Sequence, residues 1–132
     1  MFHQLHFVMA TLLPALAKWL FVLPFLLFGL LHFGPLEFSL PYVPIWLPAK
    51  AFWVYFVGVC MIAFVVSVIV KKLDKLASLL LALMLVLFVV LVHLPGAIGG
   101  DFKGIIGMAR DIAMAGAALM YAQGYAHDSR FV

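Results

Sequence analysis

Four long apolar runs constrain this chain more than any other feature. A helix that crosses a bilayer needs about 20 predominantly apolar residues. The pattern predicts spans over about residues 16–33, 51–70, 76–94 and 104–124. A soluble domain is about half apolar and about a quarter charged. Here 68% of the 132 residues are hydrophobic and 10% are charged. One water-soluble core cannot hide that much apolar surface, and disorder needs the opposite composition. The expected fold class is all-α: one domain over residues 1–132, built as a four-helix transmembrane bundle with a proline-rich outer connection.

The ends of the spans carry orientation signals. Lys18 and Trp19 open the first span as a snorkelling cation and an interfacial aromatic. Pro24 lies within it. Upstream, Phe2, Leu5, Met9 and Leu12 fall near one helical face. A separate interfacial helix and an extension of the first span fit that stretch equally well. No lysine or arginine precedes Lys18, so a cleaved signal peptide is not expected. Lys71, Lys72 and Lys75 crowd the connection between the second and third spans. By the positive-inside rule that turn is cytoplasmic, together with Lys18 and Arg130. The expected location is an integral membrane protein, of the bacterial inner membrane, with both termini cytoplasmic. The basic residues form no patch, so the net charge of +3 does not point to nucleic acid. Cys60 is the single cysteine, which excludes an internal disulfide and a C-x-x-C redox pair.

The outer connection from Gly34 to Lys50 holds Pro35, Pro41, Pro44 and Pro48 among apolar and aromatic residues. A structured cap at the membrane surface is expected, anchored by Trp46 and Trp53. The fourth span is rich in glycine and alanine, and Ala109, Ala113 and Ala117 repeat every fourth position. Small residues let helices approach closely in lipid, so this span is expected to be the most enclosed of the four. His127, Asp128 and Arg130 read as a solvated tail.

Arg110 and Asp111 lie inside that fourth span. Ionisable residues there cost about 2.5–3.5 kcal/mol at the bilayer centre and call for partners. Neighbours in sequence point about 100° apart on a helix, so each is expected to find its partner elsewhere. His32, Glu37, His93 and Asp101 fall in the same outer half, with Tyr42 and Tyr55 nearby. Three readings stay open: a structural network that fixes register, a ligand or quinone site, and a haem held by His32 and His93. No phosphate loop, G-x-S-x-G or H-E-x-x-H is present.

At these residues the chain resembles the DoxX-like family of small four-helix membrane proteins. The resemblance rests on Gly29, His32-Phe33, Val43-Pro44, Leu47-Pro48, Val54-Tyr55 and Gly58. It continues in His93-Leu94-Pro95 and in Arg110-Asp111 followed by Ala113-Met114-Ala115-Gly116-Ala117-Ala118-Leu119. It covers roughly residues 18 to 122. Members often carry a glutamate shortly after the second-span glycine, where this chain has Cys60 and Met61. The family takes its name from a subunit of a thiosulfate:quinone oxidoreductase.

Residues and resemblance together give the leading expectation: a DoxX-like subunit of a quinone-linked oxidoreductase, with an outward-facing polar pocket. Asp111, His93 and His32 would handle a proton. Arg110 would hold an anionic or carbonyl oxygen, with Glu37, Tyr55 and Asp101 as further ligand-binding candidates. The chain has no redox centre of its own, so electrons would come from a partner or a substrate. The alternative is a non-enzymatic membrane assembly or interaction subunit. The partners to consider are the bilayer, a membrane redox protein and a second copy of the chain.

Overall fold

The computed structural model describes residues 1–132 as an all-helical chain. Helix α1 runs over Phe2–Leu31, α2 over Lys50–Val70, α3 over Asp74–Ile98 and α4 over Phe102–Gly124. All four are long and apolar enough to cross a membrane. α1 packs on α2, α2 on α3, and α3 on α4, while α1 meets α4 only lightly.

All four helices contribute to the core. Val22 and Phe25 from α1 meet Phe64, Val65 and Val68 from α2, Leu81 and Leu85 from α3, and Ala118 and Tyr121 from α4. The Phe25 and Phe64 rings meet edge-on at 5.6 Å, and Phe64 meets Tyr121 in the same way at 6.0 Å. Edge-to-face pairs add about 0.5–1.5 kcal/mol beyond the area they bury.

Residues 2–15 extend the first span rather than forming a separate helix. α1 is continuous through Pro14 and Pro24, and every residue up to Ala17 is exposed. Phe21 lies against Tyr121, and Lys18 lines one groove with Gly124 and Tyr125. The end of α4 is therefore level with Lys18. The part of α1 before Lys18 runs about 24 Å past it at 1.5 Å per residue.

The proline-rich connection folds into two short 3₁₀ turns, Leu36–Phe38 and Leu40–Tyr42. The Trp53 indole donates to the Pro48 carbonyl at 3.0 Å and ties the connection to the first turn of α2. The basic connection is tighter. Lys71 and Leu73 both take left-handed backbone conformations, with φ of 57° and 56°. Such a conformation costs about 1–2 kcal/mol for a residue other than glycine. Ser67 and Lys72 offset it by hydrogen-bonding across the turn.

α3 departs from regular helix where Pro95 requires it. Proline donates no N–H, and its ring collides with the carbonyl four residues back. Val89–His93 widens into a π-helical turn, and Leu94–Ile98 resumes as α-helix.

α2 and α4 bury the same share of their spans, the highest of the four, so α4 shares that place with α2. Its interface does not use the expected alanines: Ala109 and Ala113 are exposed. The buried stripe is Gly104, Gly107, Asp111, Ala115, Ala118 and Ala122. Its spacing of three and four residues is that of a helix seam. The α1–α2 contact depends on glycine as well. A β-carbon on Gly58 would stand 2.8 Å from the His32 Cβ and 3.0 Å from the Gly29 carbonyl oxygen. Gly58→Ala is expected to destabilise the protein by about 1–3 kcal/mol through overpacking. A thermal unfolding midpoint in detergent equal to wild type would contradict this contact.

Candidate functional site

The π turn of α3 and the small-residue seam of α4 together build one polar site. His93 ends the widened turn and lies over Gly107, where any β-carbon would overlap its imidazole ring. Gly104 faces the backbone of His93, Gly96 and Ala97 at 2.7–3.0 Å from where its own β-carbon would be. Two glycines one turn apart thus bring α3 and α4 together, and Asp111 follows one turn further along the same face.

Asp111 is 1% exposed. Arg110 Nε donates to its Oδ1 at 2.8 Å. That contact corrects the expectation that these neighbours look elsewhere: the long arginine side chain bends back and reaches the carboxylate from outside the helix. Asp111 does find its second partner on another helix, as expected. His93 Nε2 lies 3.0 Å from Oδ2. The contact does not meet hydrogen-bond geometry, so Oδ2 is a buried acceptor with no hydrogen bond.

His93 Nε2 has two competing neighbours. Arg110 Nη2 approaches it at 3.4 Å as a donor, which requires the nitrogen to carry no proton. The Asp111 carboxylate at 3.0 Å can accept from that same nitrogen only when the nitrogen carries a proton. Loss or gain of one proton at Nε2 therefore exchanges the arginine contact for the carboxylate contact. The Arg110 side chain is 53% exposed, and its Nη1 has no protein partner. A cation with a free donor thus stands at the outer surface of the bundle, within a spanning segment.

The other candidates lie apart from this cluster. His32 shares its Nδ1 with the Phe28 carbonyl of its own helix at 2.7 Å and packs on Gly58 of α2. Glu37 is exposed on the first 3₁₀ turn. Tyr55 stacks on Phe33, with ring centres 5.6 Å apart. Asp101 caps α4 by accepting the Lys103 N–H at 3.1 Å. Of the seven residues singled out, the structure joins His93, Arg110 and Asp111.

A second polar cluster, at the basic end, escaped the sequence reading. Asp74 is fully buried and accepts the Tyr121 hydroxyl at 2.8 Å. It also takes the backbone N–H groups of His127 and Asp128, at 2.9 and 2.8 Å. Ser78, one turn along, donates to the Ala118 carbonyl at 2.7 Å. The C-terminal residues are therefore a docked segment, not a solvated tail. Asp128 completes the docking by accepting the Leu73 N–H at 2.8 Å and pairing with Arg130. The available signal was Tyr121, a phenol in an otherwise small-residue helix, whose hydroxyl needs a partner.

Protein-family models, curated proteins and solved structures were compared with this chain, and none matches.

Two outcomes test these contacts. Gly107→Ala should expel the His93 ring from its seat, and imidazole NMR signals should then lose their sensitivity to Asp111→Asn. Retained sensitivity would count against the seat. Asp128 supplies a pH test. Hydrogen bonds from the Arg130 side chain first, then from the Leu73 and Arg130 backbone N–H groups, hold its carboxyl well below the usual carboxylate range. A lowered folded value makes the clamp fully present above about pH 4 and lost as pH falls through the lowered value. The Leu73 amide resonance should therefore stay constant through about pH 4 and move only in stronger acid. A midpoint at the ordinary carboxylate value would contradict the clamp.

Proposed function

We propose that His93, Arg110 and Asp111 form a membrane-accessible site for a quinone-type headgroup, in a subunit that takes its electrons from a partner. The observation that carries this reading is the unused bonding capacity of the site. Arg110 offers a free donor, and Asp111 holds a buried acceptor without a hydrogen bond. A quinone carries carbonyl acceptors, the counterpart of the free Arg110 donor, while the buried Asp111 oxygen faces His93 and acts on the ligand only through it.

Each residue has a distinct task. Arg110 orients the headgroup by donating to a carbonyl oxygen. His93 stands between the exposed arginine and the buried carboxylate, and receives or returns a proton at Nε2. Asp111 stabilises the charge that His93 gains, and its own negative charge is held by Arg110 Nε. The bound group would supply two-electron redox chemistry, which no side chain here provides. Arg110 is half-exposed on a spanning helix, so a lipid-soluble ligand would reach it from the side of the bundle.

The resemblance to DoxX-like proteins supports the same reading. So does the position of His93 on a π turn, a distortion common at functional sites. Orientation with both termini in the cytoplasm rests on Lys18, Lys71, Lys72, Lys75 and Arg130 at one end.

The test is binding of a short-chain ubiquinone analogue to purified protein in detergent, followed by tryptophan quenching. Arg110→Gln and His93→Ala should each weaken binding about tenfold, as expected for the loss of one charge-assisted contact. Asp111→Asn should retain most of the affinity while abolishing the linked proton exchange. Equal binding by wild type and the Arg110 and His93 variants would reject the site.

A further inference from the structure

The second polar cluster opens onto a groove of about 530 Å³ where α1 leaves the bundle. Pro14, Ala15 and Lys18 of α1 line one side, and Gly124, Tyr125 and His127 line the other. The groove exists because α1 and α4 meet only lightly and both present small residues here.

Three donors line it with no protein acceptor in use. Lys18 Nζ lies 4.7 Å over the Trp19 ring and has no ion pair. The Tyr125 ring stacks on Tyr121 at 6.1 Å, and its hydroxyl makes no hydrogen bond. His127 turns Nδ1 toward Asp74 at 3.4 Å and keeps Nε2 free, with its side chain 43% exposed. No carboxylate lines the groove. The two acids behind it are committed, Asp74 to Tyr121 and backbone N–H groups, Asp128 to Arg130 and Leu73.

We infer that this groove binds a phosphate group, as carried by the headgroup of an anionic phospholipid. The chemistry is specific to an oxyanion: a lysine point charge, a phenol donor and a histidine face one space. In its imidazolium form His127 has a donor at each nitrogen, one for Asp74 and one for the phosphate. The position agrees. Lys18, Trp19 and the Lys71–Lys75 turn all mark the same end of the bundle, where bilayer phosphates lie. Docking of His127 and Asp128 on Asp74 holds the imidazole in place, so the buried carboxylate positions a ligand group from behind.

The experiment uses the whole protein in nanodiscs containing phosphatidylcholine and phosphatidylglycerol, with retained lipid read by native mass spectrometry. Wild type should retain phosphatidylglycerol over phosphatidylcholine. Lys18→Gln with His127→Gln removes two interfacial cations and should lower that preference about thirtyfold. Lys103→Gln at the opposite end should leave it unchanged. A second arm needs no variant: the His127 imidazole resonances are followed in phosphatidylcholine discs as inorganic phosphate is added, and again with phosphatidylglycerol. Movement with inorganic phosphate supports the site and identifies free phosphate as sufficient. Movement with phosphatidylglycerol alone supports it and identifies the lipid as the source. Unmoved resonances in both arms, or an undiminished preference in the double variant, would overturn the proposal. Neither arm depends on the His93 site at the other end of the bundle.

Discussion

The seam between α3 and α4 is the constraint on which the rest of the structure depends. Every buried polar side chain of the protein lies on it: Asp74, Ser78, His93 and Asp111. In hydrocarbon there is no water to satisfy such groups, so each must find its partner inside the protein. The seam provides this by close approach. Gly104 and Gly107 admit the His93 backbone and ring, and small residues along α4 leave the Ala118 carbonyl within reach of Ser78. α1 and α2 complete the bundle through apolar and aromatic contacts.

The seam is polar at its ends and apolar in its middle. Leu81, Ala82 and Leu85 of α3 face Ala115 and Ala118 of α4 between the Asp74 cluster and the His93–Asp111 pair. No titratable side chain of the seam bridges that stretch, so protons at one end do not communicate with the other through this interface. The two ends also differ in how completely their carboxylates are satisfied. Asp74 accepts from a phenol and two backbone N–H groups, a fully paired arrangement suited to fixing structure. Asp111 keeps one oxygen without a hydrogen bond, beside a histidine that can change its charge. The two aspartates therefore differ in how completely their bonding capacity is used.

The spans were legible because twenty apolar residues in a row have few other uses. The importance of Arg110 and Asp111 was legible because charges within a span are costly. Their mutual contact was not, since the i to i+1 rule describes Cβ directions and ignores the reach of an arginine. Ala109, Ala113 and Ala117 looked like a packing stripe, but the helix is rotated so that Gly107, Asp111 and Ala115 face α3. Spacing alone identifies a face without saying which neighbour it meets. Asp74 was hidden among lysines in a turn, and its partners lie more than forty residues away. Pro95 was noted only as part of the His93-Leu94-Pro95 motif, and the break it makes in α3 went unread. That the break takes the form of a π turn ending at His93 follows from packing against α4, which sequence does not display.

Helix lengths set the depth of both sites. α2 has 21 residues, about 31 Å at 1.5 Å per residue, which matches a hydrocarbon core of about 30 Å. α1 has 30 residues, about 45 Å, and fitting it within the same core would need a tilt of about 48°, beyond the usual 0–40°. Its contacts with α2 and α4 set its register from Val22 onward, so the excess falls before Lys18. The slab defined by α2 then places the Lys18–His127 groove at one headgroup level. At the other end, Arg110 lies eight residues inside α4, about 12 Å from its start. The Arg110 side chain is half-exposed on the outside of the bundle at that level. Arg110 spends its Nε on Asp111, which leaves the outer nitrogens of the guanidinium as the donors that the proposed ligand would meet.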